Sequence, residues 1–248
     1  MKINKSIKTT ISLATAMGTL VLAASSANAA VIVTQTVGWT DGNNVTTSES
    51  IAFDVVNANS ILVATLYIDG IADITSVLFG GVAADATFQD DRTFSFLFLN
   101  ASTASGLSLD FSKVDTGGVA AVLYEVSGAA TTLSSITTVT AANSIDTSTA
   151  DELIVSFAGQ NGNALSVAVA SIFTDEDLQM GNGGVGAVRG GGSLASASGT
   201  APGIGTHNIS WGSGDEGRIA YAFEAVPEPT TTALLGLGGF ALILRRRK

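Results

Sequence analysis

Twenty-one carboxylates, one histidine and no cysteine are the side chains of this 248-residue chain that could do chemistry. Nucleophilic hydrolysis pairs a serine or cysteine with a general base, most often histidine. His207 is the only histidine, no G-x-S-x-G elbow accompanies it, and it alternates with Ile209 and Trp211. That spacing predicts a structural side chain at a sheet margin. Zinc draws on histidine and cysteine, so the composition argues against a catalytic zinc. Calcium takes carboxylates and carbonyls, and the densest acidic clusters are Asp175-Glu176-Asp177 and Asp90-Asp91. An EF-hand loop counted from Asp175 would need glycine where Met180 stands and glutamate where Gly186 stands. The clusters therefore read as solvated acidic turns, with an irregular calcium site in a loop left open as the alternative. Gly181-Asn-Gly-Gly-Val-Gly186 matches G-x-G-x-x-G in letters only. An acidic turn precedes it and Arg189-Gly-Gly-Gly192 follows, where a dinucleotide site needs a strand and a helix. Glycoside hydrolysis needs two carboxylates at a set separation in space, and no pair stands out. Trp39, Trp211 and three tyrosines are few for sugar platforms. The inventory predicts no catalytic, cofactor-binding or metal-ligating residues, and so a protein that is not an enzyme.

The elements around these residues read as strands. Thr93–Leu99 places Phe94, Phe96 and Phe98 on one face, and Gly106–Ser112 sets Leu107, Leu109 and Phe111 against Ser108, Asp110 and Ser112. Glu152–Phe157 turns Leu153, Val155 and Phe157 inward, and Arg218–Glu224 does the same with Ile219, Tyr221 and Phe223. Period-two alternation gives each run one apolar face. Further strands are expected at 31–37, 50–56, 60–68, 74–79, 117–126, 164–172 and 205–211, with turns at Gly80-Gly81 and Gly117-Gly118. Many short strands with frequent turns predict an all-β fold, a two-sheet antiparallel β-sandwich of jelly-roll type, as one domain over residues 30–225.

The two ends differ from this body. Lys2, Lys5 and Lys8 precede an apolar stretch from Ile11 to Ala24, and Ala27-Asn28-Ala29 supplies an A-x-A cut site. Those are the parts of a secretory signal peptide over residues 1–29, cleaved after Ala29. At the other end a short exposed linker leads into Pro227-Glu228-Pro229, an apolar segment over 230–244 and the cluster Arg245-Arg246-Arg247-Lys248. An apolar helix ending in basic residues halts with those residues on the cytoplasmic side. Fifteen residues of helix span about 22 Å, short of a ~30 Å hydrocarbon core. The tail over 226–248 reads as a transient transmembrane anchor that is recognised and cut, as the tail of a GPI signal is. Between the processing points four basic residues face 21 acids, a net charge of −17. Such a surface repels nucleic acid and anionic lipid. With no cysteine, an exported domain must rest on its core alone.

Pro227-Glu228-Pro229, the apolar helix and the terminal basic cluster, in that order, resemble the PEP-CTERM sorting signal of Gram-negative bacteria. The resemblance implies export through the Sec route and signal peptidase, then processing near the motif by a membrane exosortase. It also implies a host that makes extracellular polysaccharide. In the body, Ile74-Thr-Ser-Val-Leu-Phe-Gly-Gly-Val82 resembles a strand–turn of a widespread bacterial and phage surface β-sandwich. Phe96–Asn100, Gly106–Phe111, Gly118–Gly128, Asp151–Phe157 and Ile219–Glu224 follow in the same order. That likeness implies a sandwich and brings no catalytic residues.

These readings lead to an exported, non-enzymatic surface or extracellular-matrix protein, anchored in the inner membrane until processed. A carbohydrate-binding or adhesion module using loop carboxylates, calcium and Trp39 or Trp211 is the alternative, with extracellular polysaccharide as partner. A glycoside hydrolase stands third.

Overall fold

A computed structural model of the chain describes residues 30–41, 48–69, 74–113, 118–162, 165–175, 177–181, 192–212 and 217–226. The first nine strands are β1 (Ile32–Asp41), β2 (Ser48–Ala52), β3 (Ser60–Ile68), β4 (Ile74–Phe79), β5 (Val82–Ala83), β6 (Ala86–Asp90), β7 (Thr93–Ala101), β8 (Ser108–Lys113) and β9 (Val119–Ser127). Seven more follow: β10 (Ile136–Thr140), β11 (Ser144–Thr147), β12 (Leu153–Asn161), β13 (Leu178–Gly181), β14 (Gly192–Thr200), β15 (Gly205–Asn208) and β16 (Arg218–Phe223). The helical element among the described residues is the single turn Leu133–Ser135.

The antiparallel sandwich expected from the alternation is present, and its N-terminal part is a jelly roll. One sheet runs β1-β9-β3-β7-β6 and the other β2-β8-β4-β5. Strands β1 to β4 therefore alternate between the two sheets, as the paired Greek keys of that fold require. Phe94, Phe96 and Phe98 face Leu109 and Phe111 across this first core, as the period-two reading predicts. Gly80 and Gly81 form the β4–β5 turn with φ of 55° and 81°, a left-handed pair that glycine tolerates.

The difference from the expectation lies in the number of layers. A further sheet, β10-β16-β12-β14-β13, packs on the outer face of the β1-β9-β3-β7-β6 sheet. That central sheet is thus buried on both sides. Leu62, Ala64 and Leu66 of β3 serve the jelly-roll core, while Ile61, Val63 and Tyr67 serve a second core with Phe157, Tyr221 and Phe223. The signal was the near-continuous apolar run of β3 and β9, where both alternating positions are apolar, as in strands covered on two faces. A third cluster, built around Ile154, Phe173 and Trp211, covers the far side of the added sheet beneath the β11–β15 pair.

Strand β14, Gly-Ser-Leu-Ala-Ser-Ala-Ser-Gly-Thr, escaped the sequence reading because its residues are small. Small residues are needed there. A Cβ on Gly192 would lie 2.4 Å from the Tyr67 ring, and one on Gly159 of β12 would lie 2.3 Å from it. The strand expected over 164–172 is corrected: within the described part only Val167 makes a bridge, to Trp211, and Val169 is fully exposed. The segment runs beside residues 208–212 through the bonds Ala168 N–H to Ser210 O, Ile172 N–H to Asn208 O and Gly212 N–H to Ser166 O, and a turn at 168–171 keeps it from forming a continuous strand.

Candidate functional site

Several of the groups singled out for chemistry have structural partners. His207 on β15 pairs with Ile145 of β11, and its Nε2 lies 2.9 Å from the Gly203 carbonyl and 3.0 Å from Thr147 Oγ1. A carbonyl only accepts, so Nε2 carries the proton and donates. The ring is buried and ties the turn before β15 to β11. Trp211 is 6% exposed and donates its indole N–H to Ser156 Oγ at 2.9 Å. Trp39 is half-buried and stands edge-on to Phe111, centroids 5.9 Å apart. Tyr67, Tyr124 and Tyr221 are fully buried. None of the three tyrosines offers a ring face to a sugar, and the Trp211 ring is covered.

The acidic clusters divide in the same way. Tyr124 rises from the central sheet and donates its hydroxyl to Asp177 Oδ2 at 2.6 Å, with Ser196 Oγ 2.8 Å away. Burial, and then the Asp177 carboxylate beside it, push the Tyr124 phenol above its ordinary range; burial does the same to Tyr221. Glu176 lies outside the described residues. Asp90 accepts the Arg218 backbone N–H at 2.7 Å and so links β6 to the start of β16. Asp91 sits in the tight β6–β7 turn with φ of 47°. The Gly181–Gly186 segment lies outside the described residues beyond Gly181. Among the described residues no three His, Cys, Asp or Glu side chains converge on a point that could hold a metal ion.

Sequence reasoning missed the buried charges. Glu125 on β9 accepts the backbone N–H groups of Val56 at 3.1 Å and Asn57 at 2.7 Å, holding the approach to β3. Lys113 and Asp41 form a 3.3 Å ion pair whose side chains are 0% and 4% exposed, joining β8 to the end of β1 across the two jelly-roll sheets. Glu152 is fully buried, and its Oε1 accepts the backbone N–H of Ser148 at 2.7 Å and of Thr149 at 2.6 Å. Its Oε2 is buried with no hydrogen-bond partner among the described residues. A signal existed for these groups: a carboxylate inside or beside an apolar run, as in Val-Leu-Tyr-Glu-Val, must be satisfied by the fold.

Two of the concavities formed by the described residues lie on the jelly roll's second sheet and its turns. An apolar cleft of about 270 Å³ opens beside the β4–β5 turn, floored by Phe79, Phe98 and Leu107 with Asp85 and Asn100 at its rim. Asp85 there accepts the Leu99 N–H at 2.7 Å. On the outer face of the second jelly-roll sheet, Ser48, Ser50, Ser76, Asp110 and Ser112 line an open polar groove beside Glu49. The Ser48 and Ser112 hydroxyls are 3.3 Å apart, and Ser108 donates to Asp110 at 2.9 Å.

The third feature is a pole where the two ends of the body meet. Ala225 bridges to Ala129, Val226 donates its N–H to the Gly128 carbonyl at 3.0 Å, and Ala130 donates to Glu224 at 2.9 Å. Pairing of the described residues runs through Val226, one residue past the expected end of the domain. Gly128 has φ of 78°, and a Cβ on it would lie 2.3 Å from the Ala30 carbonyl oxygen. The sorting residues Pro227, Glu228 and Pro229, the apolar segment 230–244, the cluster Arg245 to Lys248, and Ala27 and Ala29 all lie outside the described residues. Within the described residues no helix is long and apolar enough to cross a membrane.

The described body is all β, and its first and last described residues, Ala30 and Val226, both lie beside Gly128. Residues 225–248 match the family described as the PEP-CTERM protein-sorting motif. The chain carries that motif, which marks an exported protein of Gram-negative type, sorted to the cell surface through exosortase. No curated protein and no solved structure matches the chain.

Proposed function

We propose that the chain is a non-enzymatic surface or extracellular-matrix protein, held briefly in the inner membrane by its tail and released into the polysaccharide layer when the tail is cut. The observation that carries the reading is the sorting motif joined directly to a layered β body. The body's histidine, tryptophans and most accountable carboxylates serve its own turns and cores, so what it offers the outside is a shaped, acidic surface. Fractionation of a Gram-negative host, with mass spectrometry of the recovered protein, tests it. The expected product lacks residues 1–29 and the tail and leaves the inner membrane. Full-length protein retained in the inner membrane overturns the reading.

A second reading is favoured by the groove on the β2-β8-β4 face. Hydroxyls and carboxylates in an open trough suit the hydroxyls of a glycan, directly or through calcium bridging Asp110 and the sugar. Without aromatic stacking, such binding would be weak and multivalent. A glycan array run with calcium and with chelator tests this reading. Binding abolished by Asp110→Ala supports it, and no binding in either condition retires it.

A further inference from the structure

We infer that the folded body restrains the processing of its own sorting tail, because the first residues of the sorting motif are strand-paired to the body and must detach before a processing enzyme can engage them. The inference rests on the export reading above and concerns the same cut.

The motif match begins at Ala225, and Ala225 and Val226 are both part of the fold. Ala225 faces Ala129 in an antiparallel bridge flanked by the bonds Val226 N–H to Gly128 O and Ala130 N–H to Glu224 O. One residue earlier, Glu224 donates its N–H to the Ser135 carbonyl at 3.3 Å and accepts from Ser148 Oγ at 2.7 Å. Three successive residues are thus tied to the body. Pro227 comes next and has no N–H with which to continue the ladder. The pairing therefore runs as far toward the motif as the sequence allows.

A processing enzyme takes its substrate as an extended, unpaired strand, and cleavage of a paired segment follows the population of its opened state. Here no spacer residue separates the last body hydrogen bond from Pro227. An enzyme that grips even two residues ahead of the Pro-Glu-Pro triplet must peel Ala225 and Val226 from Ala129 and Gly128. The same Gly128 abuts Ala30, the residue that follows the expected signal-peptide cut. The chain at Ala30 is thus packed beside the clamp.

The test follows tail loss by pulse-chase in the full-length chain, in a Gram-negative host that carries an exosortase. One variant inserts a Gly-Ser spacer of about eight residues between Val226 and Pro227. A second, Ala129→Cys with Ala225→Cys, closes a disulfide across the bridge. A bridge flanked by hydrogen bonds in this way brings its Cα atoms to about 4.5 Å, within disulfide range, and the chain has no other cysteine to compete. The spacer is expected to raise the processing rate roughly tenfold, the scale of opening a few hydrogen bonds. The closed disulfide is expected to lower the rate by at least as much, with recovery on reduction. Equal rates in the parent and the spacer chain overturn the inference, whether or not the cysteine pair folds. A cross-linked chain cut as fast as its reduced form also overturns it. A parent chain that never loses its tail overturns the export reading and the inference with it.

Discussion

The Tyr124 hydroxyl and the Asp177 carboxylate lie 2.6 Å apart and tie the central sheet to the approach to β13. An acidic triplet that could have bound a cation instead gives one of its members to a buried phenol. Tyr124 and Tyr221 stay protonated in the folded body because burial, and for Tyr124 the Asp177 carboxylate as well, raise their pKa values. The unfolded chain binds fewer protons above pH about 10, where a free tyrosine ionises. This part of the stability is therefore constant below that pH and falls above it, by about 1.4 kcal/mol per pH unit for each tyrosine. Urea unfolding between pH 8 and about 11 is expected to show the fall, and Tyr124→Phe to make it shallower. An identical slope in the variant would refute the assignment.

Calcium is expected to leave the body's stability unchanged. Asp177 and Asp90 are committed to Tyr124 and to the Arg218 backbone N–H. A cation that bound the folded state alone would raise the melting temperature with its concentration. Thermal unfolding with millimolar calcium and with chelator checks this, and a calcium-dependent rise would reveal a site in the loops.

The buried pair of Lys113 and Asp41 predicts an asymmetric response to mutation. Lys113→Met leaves a carboxylate buried without its cation and should cost about 3–5 kcal/mol. Adding Asp41→Leu removes the stranded charge and should recover most of that loss. Denaturant midpoints of the two single variants and the double variant provide the comparison. Additive losses would mean that the two side chains do not act as a pair.

Glu152 separates an acceptor from a charge. Glu152→Ala removes the acceptor of two backbone N–H groups and the hydroxyls of Ser148 and Thr149, and should destabilise by about 2–4 kcal/mol. Glu152→Gln keeps a carbonyl in the Oε1 position but sets an amide NH2 where Oε2 has no partner, and should cost less than Glu152→Ala. Equal losses would show that the negative charge, rather than the hydrogen bonds, holds the 148–149 turn.

At Gly128, Gly128→Val adds a side chain where the Ala30 carbonyl stands and in a left-handed conformation. It is expected to loosen residues 224–226 and speed their hydrogen exchange, while the amides of β3 and β9 stay protected. Unchanged exchange at Val226 would mean that the pole tolerates the side chain.

Local pattern was enough to read several features. The order of Pro227-Glu228-Pro229, apolar segment and basic cluster is a property of neighbouring residues, and residues 225–248 match the sorting motif. The inward faces of β7, β8, β12 and β16 follow from period-two alternation, which needs no partner to be seen. The tertiary structure alone decided the rest, because those features depend on residues far apart in the chain. Whether the apolar run of β3 met one sheet or two depended on β10 to β16 folding back over it. Strand β14 starts on a glycine because Tyr67, 125 residues before Gly192, occupies the space that a side chain there would need. Ala30, Gly128 and Val226 carry no mark of their meeting; only the closing of the antiparallel pairs brings both ends of the body to one place.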